Sequence, residues 1–135
     1  MSNLGEKNDQ GKPPMELLDW EALKETALVM SHGEKKYGAY NWRKGLSQRR
    51  ALGAALRHIY QHLDGANMDE ESRLLHLAHA MCEVMFAIRM LKERPDLDDR
   101  YKDPGTKGCP TMSGTIQDRK SSTLMTQDEL PYREE

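Results

Sequence analysis

The sequence predicts an all-α protein, a helical bundle between an irregular N-terminal arm and an irregular C-terminal tail. Three observations carry this. Large aliphatic residues recur at three- and four-residue spacing along three stretches. Aromatic residues are scarce, with one Phe, two Trp and five Tyr, while Met is plentiful at nine. A core of Leu, Ala and Met suits packed helices better than a β-sandwich. Finally, each periodic stretch is bracketed by residues that start or stop a helix.

With 135 residues the chain is one domain's worth. Residues 1–14 are polar, with Gly5, Gly11 and the pair Pro13-Pro14, and read as the arm. The helical domain is expected over 15–95. Its first helix starts after Asp19, whose carboxylate can cap it, carries Trp20, Leu23, Ala27 and Met30, and is expected to stop before Gly33. Glu34 to Gly45 mixes cations, aromatics and glycines, which predicts a loop with a turn of helix. Ser47 caps the second helix, which runs through Leu52, Ala55, Leu56, Ile59, Tyr60 and Leu63 and ends at Gly65. Asp69 offers a cap for the third and longest helix, with Leu74, Leu77, Met81, Val84, Met85, Ile88 and Leu91, closed by Pro95. That helix is apolar on more than one face, so part of it should be covered by a neighbouring subunit, in a dimer or tetramer. Residues 96–135 are rich in Gly, Pro, Ser and Thr and read as the tail.

Charged residues make up 31% of the chain and nearly cancel, to a formal net charge of -2. A general nucleic-acid coat needs a strongly basic surface, so that class is set aside. Cys82 and Cys109 form neither a disulfide framework nor a metal motif, and Cys82 reads as a buried inert thiol. No secretory signal opens the sequence and no window suits a membrane span, so the cytoplasm is the expected location.

Two clusters can carry chemistry. On the second helix, Arg57, His58, Gln61 and Asp64 share a face; on the third, His76, His79 and Glu83 do, with Glu71 and Ser72 about a turn earlier. A short connection, Gly65 to Met68, would pack the helices antiparallel and bring these stripes together. Imidazoles suit Mn²⁺, Zn²⁺ or Fe²⁺ and carboxylates suit Mg²⁺ or Mn²⁺. His58, Asp64, Glu71, His76 and His79 are the candidate metal ligands; the alternative is a set of hydrogen-bonded structural histidines. The second cluster is Lys35-Lys36-Tyr37-Gly38-Ala39-Tyr40-Asn41-Trp42. Its ammonium groups attract phosphates, Tyr37 and Trp42 can stack on a base, and Asn41 can hydrogen-bond base or sugar. The plainer reading is a solvated basic turn whose aromatics plug the bundle.

The segments GKPPMELLDWEALKETALVMSHGEKKYGAYNW, ALRHIYQHLDG and DEESRLLHLAHAMCEVMF together resemble a phage family of dATP/dGTP diphosphohydrolases, over about Gly11 to Leu91. GxKKYGxxNW and HLAHA carry most of the likeness. The family includes the MazZ enzymes of phages whose DNA contains 2-aminoadenine, and it is similar to the MazG-like all-α pyrophosphohydrolases. The resemblance implies a MazG-like helical bundle, oligomeric, that uses Mg²⁺ or Mn²⁺ in the host cytoplasm. It implies hydrolysis of a nucleoside triphosphate to monophosphate and pyrophosphate, with dGTP or GTP favoured and dGMP released as a starting point for the modified nucleotide. Catalytic roles then fall to His58, Glu71, His76 and His79. Substrate contacts fall to Lys12 of the GKPP arm, Lys35, Lys36, Tyr37, Asn41, Trp42 and Arg57.

The sequence departs from the MazG pattern of EExxE on one helix and ExxD on the next. His76 and His79 stand where the second motif expects Glu and Asp, and Arg57, His58 and Gln61 stand at the three Glu positions of the first. Either the metal site is rebuilt around imidazoles, or nearby acids such as Asp64, Asp69, Glu71 or Glu83 take over. Two other readings remain: a non-catalytic helical phage accessory protein that binds nucleotides or a partner, and a His/Asp-metal enzyme that removes the whole triphosphate, whose adjacent His-Asp pair is missing here.

Overall fold

The computed structural model describes residues 4–105. Residues 4–14 are an irregular arm with a turn at Gly11, and a helical unit begins at Met15. That unit contains a 3-10 turn at Met15–Leu17, α1 (Trp20–Tyr37), a 3-10 turn at Asn41–Lys44, α2 (Gln48–Leu63), α3 (His76–Glu93) and a 3-10 turn at Pro95–Leu97. Among the described residues there is no strand beyond one isolated bridge, Met68 to Leu75. Most of the expected tail, with Cys109, lies outside the described residues.

The expected caps form. Asp19 Oδ2 accepts from the Ala22 N–H at 2.8 Å, and Ser47 Oγ from the Arg50 N–H at 3.4 Å. Two boundaries differ from expectation. α1 passes through Gly33 and stops at Gly38, which has φ 89° and donates its N–H to Glu34 O at 2.8 Å. One helical glycine costs about 1 kcal/mol, too little to end a helix that gains another turn and sets Lys35 and Lys36 against its negative end. The second difference is the start of α3. Asp69 does not cap it: its carboxylate accepts from the Ser72 N–H at 2.8 Å in a separate turn. Arg73 then takes φ 59°, which no helix continues through. The connection therefore runs from Asp64 to Leu75, not Gly65 to Met68, and Asp69 N–H to Leu74 O and His76 N–H to Asn67 O close it.

α2 and α3 lie antiparallel. Gln48, buried, donates from Nε2 to Ala87 O at 2.8 Å at one end of the pair, and His58 meets His76 toward the other. The buried residues of the two helices include Ala51, Ala55, Ala78, Ala80 and Ala87, whose small side chains let packed elements approach closely. α1 packs on α3, where Val29 joins Ala78 and Cys82. After α3 the chain returns to the start of α2: Asp99 accepts from the Arg49 N–H at 2.9 Å, so residues 96–99 belong with the bundle and not with a tail. A core this lean leaves large side chains outside. Leu77, Met81, Val84, Met85 and Ile88 of α3 are exposed, as are Leu56, Tyr60 and Leu63 of α2. No described helix is long and apolar enough to cross a membrane.

Candidate functional site

A cavity of about 1090 Å³ opens between α1, α2, α3 and the turn after α1, room enough for a nucleotide-sized ligand. At its imidazole end, His58 of α2 faces the first turn of α3. His58 Nδ1 and His76 Nδ1 are 2.9 Å apart, and the His58 and His79 rings stack at 4.5 Å and 13°. His79 Nε2 is 2.7 Å from Ser72 Oγ, while the Ser72 backbone holds Asp69. His58, Asp69 and His76 each present a ligand atom, all within 4.8 Å of one another.

This donor set fits a divalent cation. Two nitrogens 2.9 Å apart either share one proton or turn both lone pairs toward one positive charge. Burial, then His79 and His76, push the His58 imidazolium down, and burial does the same to His79 against the opposing pull of Asp69, so both are held toward the neutral, ligand-competent form. Burial raises the Asp69 carboxyl, but the Ser72 N–H and hydroxyl with His79 and His58 outweigh it and keep Asp69 ionised.

The other expected residues scatter. Glu71 is exposed and paired with Lys36 at 2.5 Å; both line the cavity beside the imidazoles but Glu71 does not join the three-atom set. Asp64 sits at the C-terminal end of α2, exposed and away from the cavity lining. Lys36, Tyr37, Asn41 and Arg57 line the cavity; Lys35, its neighbour on α1, does not. Trp42 lines it too, but stacks on Phe86 at 4.7 Å with the Arg43 guanidinium 5.2 Å from the ring centre, as a wall of the bundle. Its indole N–H is buried without an acceptor among the described residues. Lys12 is in the arm, paired with Asp9. Cys82 is buried, its thiol pushed up to about 12 by burial and Glu83, an inert group as expected.

Two residues lie outside the candidate set, and a third, Asp69, stands only among the acids that could replace the MazG carboxylates. Asp69 reads in sequence as a helix cap, and a cap and this turn look alike, since both have a carboxylate accepting an N–H three residues on. Only the left-handed Arg73 separates them. Ser72 carries no signal of its own in the sequence beyond lying about a turn before the His76 stripe. His32 of α1 lines the cavity and interacts electrostatically with His79 and Glu71; its one legible signal was the i, i+4 spacing to Lys36.

A family model described as dATP/dGTP diphosphohydrolase, N-terminal, matches residues 2–100 of the chain. A protein of Salmonella phage PMBT28 named dATP/dGTP diphosphohydrolase is 39% identical over 113 residues, which cover 84% of this chain. The same match covers 39% of that relative, so the chain spans about two-fifths of its length. No solved structure matches.

Proposed function

This chain belongs to the dATP/dGTP diphosphohydrolase family, and on that premise we propose that it hydrolyses purine deoxynucleoside triphosphates to the monophosphate and pyrophosphate, with a divalent cation held by His58, Asp69 and His76. The observation that carries this reading is the convergence of two imidazoles and an ionised carboxylate, of which His58 and Asp69 line a nucleotide-sized cavity and His76 is buried against His58. Two nitrogens and one oxygen suit Mn²⁺ better than Mg²⁺, which prefers oxygen ligands. When bound, the cation offsets phosphate charge and polarises the phosphorus under attack.

The chain's own groups do the rest. Lys36 and Arg57 border the cavity and neutralise phosphate oxygens, with Glu71 holding Lys36 in place until substrate arrives. His79, kept neutral and oriented by Ser72, accepts the proton of the attacking water as the bond from the α-phosphorus to the bridging oxygen breaks and pyrophosphate leaves. Tyr37 and Asn41 border the sugar and base. Guanine substrates are favoured, and dGMP from dGTP would feed 2-aminoadenine nucleotide synthesis as in the MazZ-like relatives. The exposed apolar stripes of α2 and α3 support a homodimer or homotetramer.

Turnover of the eight common nucleoside and deoxynucleoside triphosphates with Mg²⁺, Mn²⁺ and Co²⁺, with products identified, tests this. Pyrophosphate is the expected product, fastest with Mn²⁺. Inorganic triphosphate would point to the triphosphohydrolase reading, and no turnover with any pair would leave an accessory binding protein.

A further inference from the structure

Glu83 is the charged residue of α3 in the cavity wall that the phosphate chemistry leaves unused. It follows His79 by one turn and His76 by two, about 10 Å along the axis, on the same stripe of α3. That is comparable with the span from an α-phosphate across the sugar to a purine's far edge. The side chain is half-buried and lines the cavity, and among the described residues it has no hydrogen bond or ion pair. Phe86, three residues on, stacks with Trp42 in the same wall and offers an apolar surface beside it. A half-buried carboxyl that faces a cavity without a protein partner leaves its oxygens available to a ligand's donors.

The charged groups around it are few. Arg57 and Arg50 of α2 face it, and Cys82 precedes it on α3. The Arg57 guanidinium folds back along α2, its Nη1 3.6 Å from where a Cβ at Gly53 would stand. α1 presents His32, Glu34 and Lys36 to the cavity, and Arg49 with Asp99 closes it beyond the start of α2.

Guanine presents two adjacent donors, N1–H and N2–H₂, which match the two oxygens of a carboxylate. Adenine presents an N6–H₂ donor beside an N1 acceptor, which matches a carboxylic acid. We propose that Glu83 reads the Watson–Crick edge of the purine, as a carboxylate toward guanine and as a carboxylic acid toward adenine, so that one side chain admits both bases and protonation sets their ranking. This rests on the hydrolase reading above and assigns that site its base reader. Burial pushes the Glu83 carboxyl up, against the pull of Arg57 and Arg50, which brings the acid form within easier reach of a bound adenine.

The sign follows. As pH rises through the folded-state pKa of Glu83, the carboxylate replaces the acid, and the dGTP to dATP ratio of kcat/KM should climb. Groups that serve both substrates alike cancel in that ratio. Glu83→Gln mimics the acid, with an amide oxygen to accept and an NH₂ to donate. The ratio should then fall by about 5- to 150-fold, the worth of one bidentate base contact, and lose its pH dependence.

The experiment is competition between dGTP and dATP with Mn²⁺ on the full chain and on Glu83→Gln, from weakly acid to neutral pH. The equilibrium affinities of the non-hydrolysable α,β-methylene analogues of both nucleotides are measured alongside. A wild-type ratio that rises with pH and a lower, flat ratio in the variant support the assignment. Pyrophosphate release with the same ratio in both proteins overturns it and leaves the hydrolase reading standing. If no pyrophosphate appears, the hydrolase reading fails, and the analogue affinities alone decide: an unchanged ratio, or no binding, overturns the assignment. The wild-type pH profile answers even if the variant folds poorly.

Discussion

Between His58 and His76 a single proton or a single cation must sit, because two nitrogen lone pairs 2.9 Å apart repel each other otherwise. Asp69→Asn is the clean probe of which it is. The amide oxygen can still accept from the Ser72 N–H, so the turn survives while the anionic ligand is lost. Mn²⁺ affinity measured by calorimetry should fall by at least the roughly 10–100-fold that even outer partners of a metal site command, with melting temperature little changed; unchanged affinity would make the cluster structural. Glu83 gives a second test that needs no nucleotide. Its carboxyl is raised in the folded state by burial, against Arg57 and Arg50. As pH rises from the ordinary glutamate range, the unfolded chain ionises first and folded stability is lost, until both states are ionised above the folded pKa. Glu83→Gln should therefore melt higher than wild type at neutral pH, and the gap should close as pH falls below the unfolded value. A gap constant with pH would show that Glu83 titrates normally.

At the scale of elements, two glycines with opposite roles test the chain path. Gly33 lies inside α1 with nothing within 4 Å of an added Cβ, so Gly33→Ala should stabilise the helix by about 0.5–1 kcal/mol. A lower melting temperature would return Gly33 to the helix-ending role that its identity suggests. Gly45, which leads from the 3-10 turn toward α2, has φ 125°, and its Cβ would stand 2.8 Å from Leu97 Cδ1. Gly45→Ala should cost about 1–3 kcal/mol from backbone strain alone, read as a fall in melting temperature of several degrees. It tests the packing of residues 95–99 against the bundle as well.

At the scale of the molecule, the balance of inside and outside is uneven. Among the described residues the buried apolar set is mostly alanine with Val29, Cys82 and Met90, while Ile88 is 55% exposed and Tyr60 65%. Such surface is costly to leave in water. The purified chain should run as a dimer or tetramer by light scattering, and Ile88→Asp or Tyr60→Asp should shift it toward monomer with helix content retained. A wild-type monomer at micromolar concentration would refute the oligomer. The two substitutions separate the α3 and α2 stripes, so they also tell which face is covered.

What the sequence determined alone was local. Helix periodicity, the Asp19 and Ser47 caps and the residues offering imidazoles and carboxylates follow from side-chain chemistry a few positions apart, and they suffice for an all-α bundle; the family follows from the likeness of whole segments such as GxKKYGxxNW and HLAHA. Boundaries were less secure wherever one residue type serves two local geometries: Gly33 can end a helix or sit in one, and Asp69 can cap a helix or close a turn. Tertiary structure alone decided which groups meet. His58 reaches His76 because α2 and α3 are antiparallel in one register, pinned by Gln48 and Ala87. Asp69 joins them because Arg73 turns left-handed before α3 begins, and Asp64 is left outside because it lies past the last turn that faces α3. Ligand sets are built from residues distant in sequence, and their convergence depends on helix register and loop path, which no spacing within a single helix encodes.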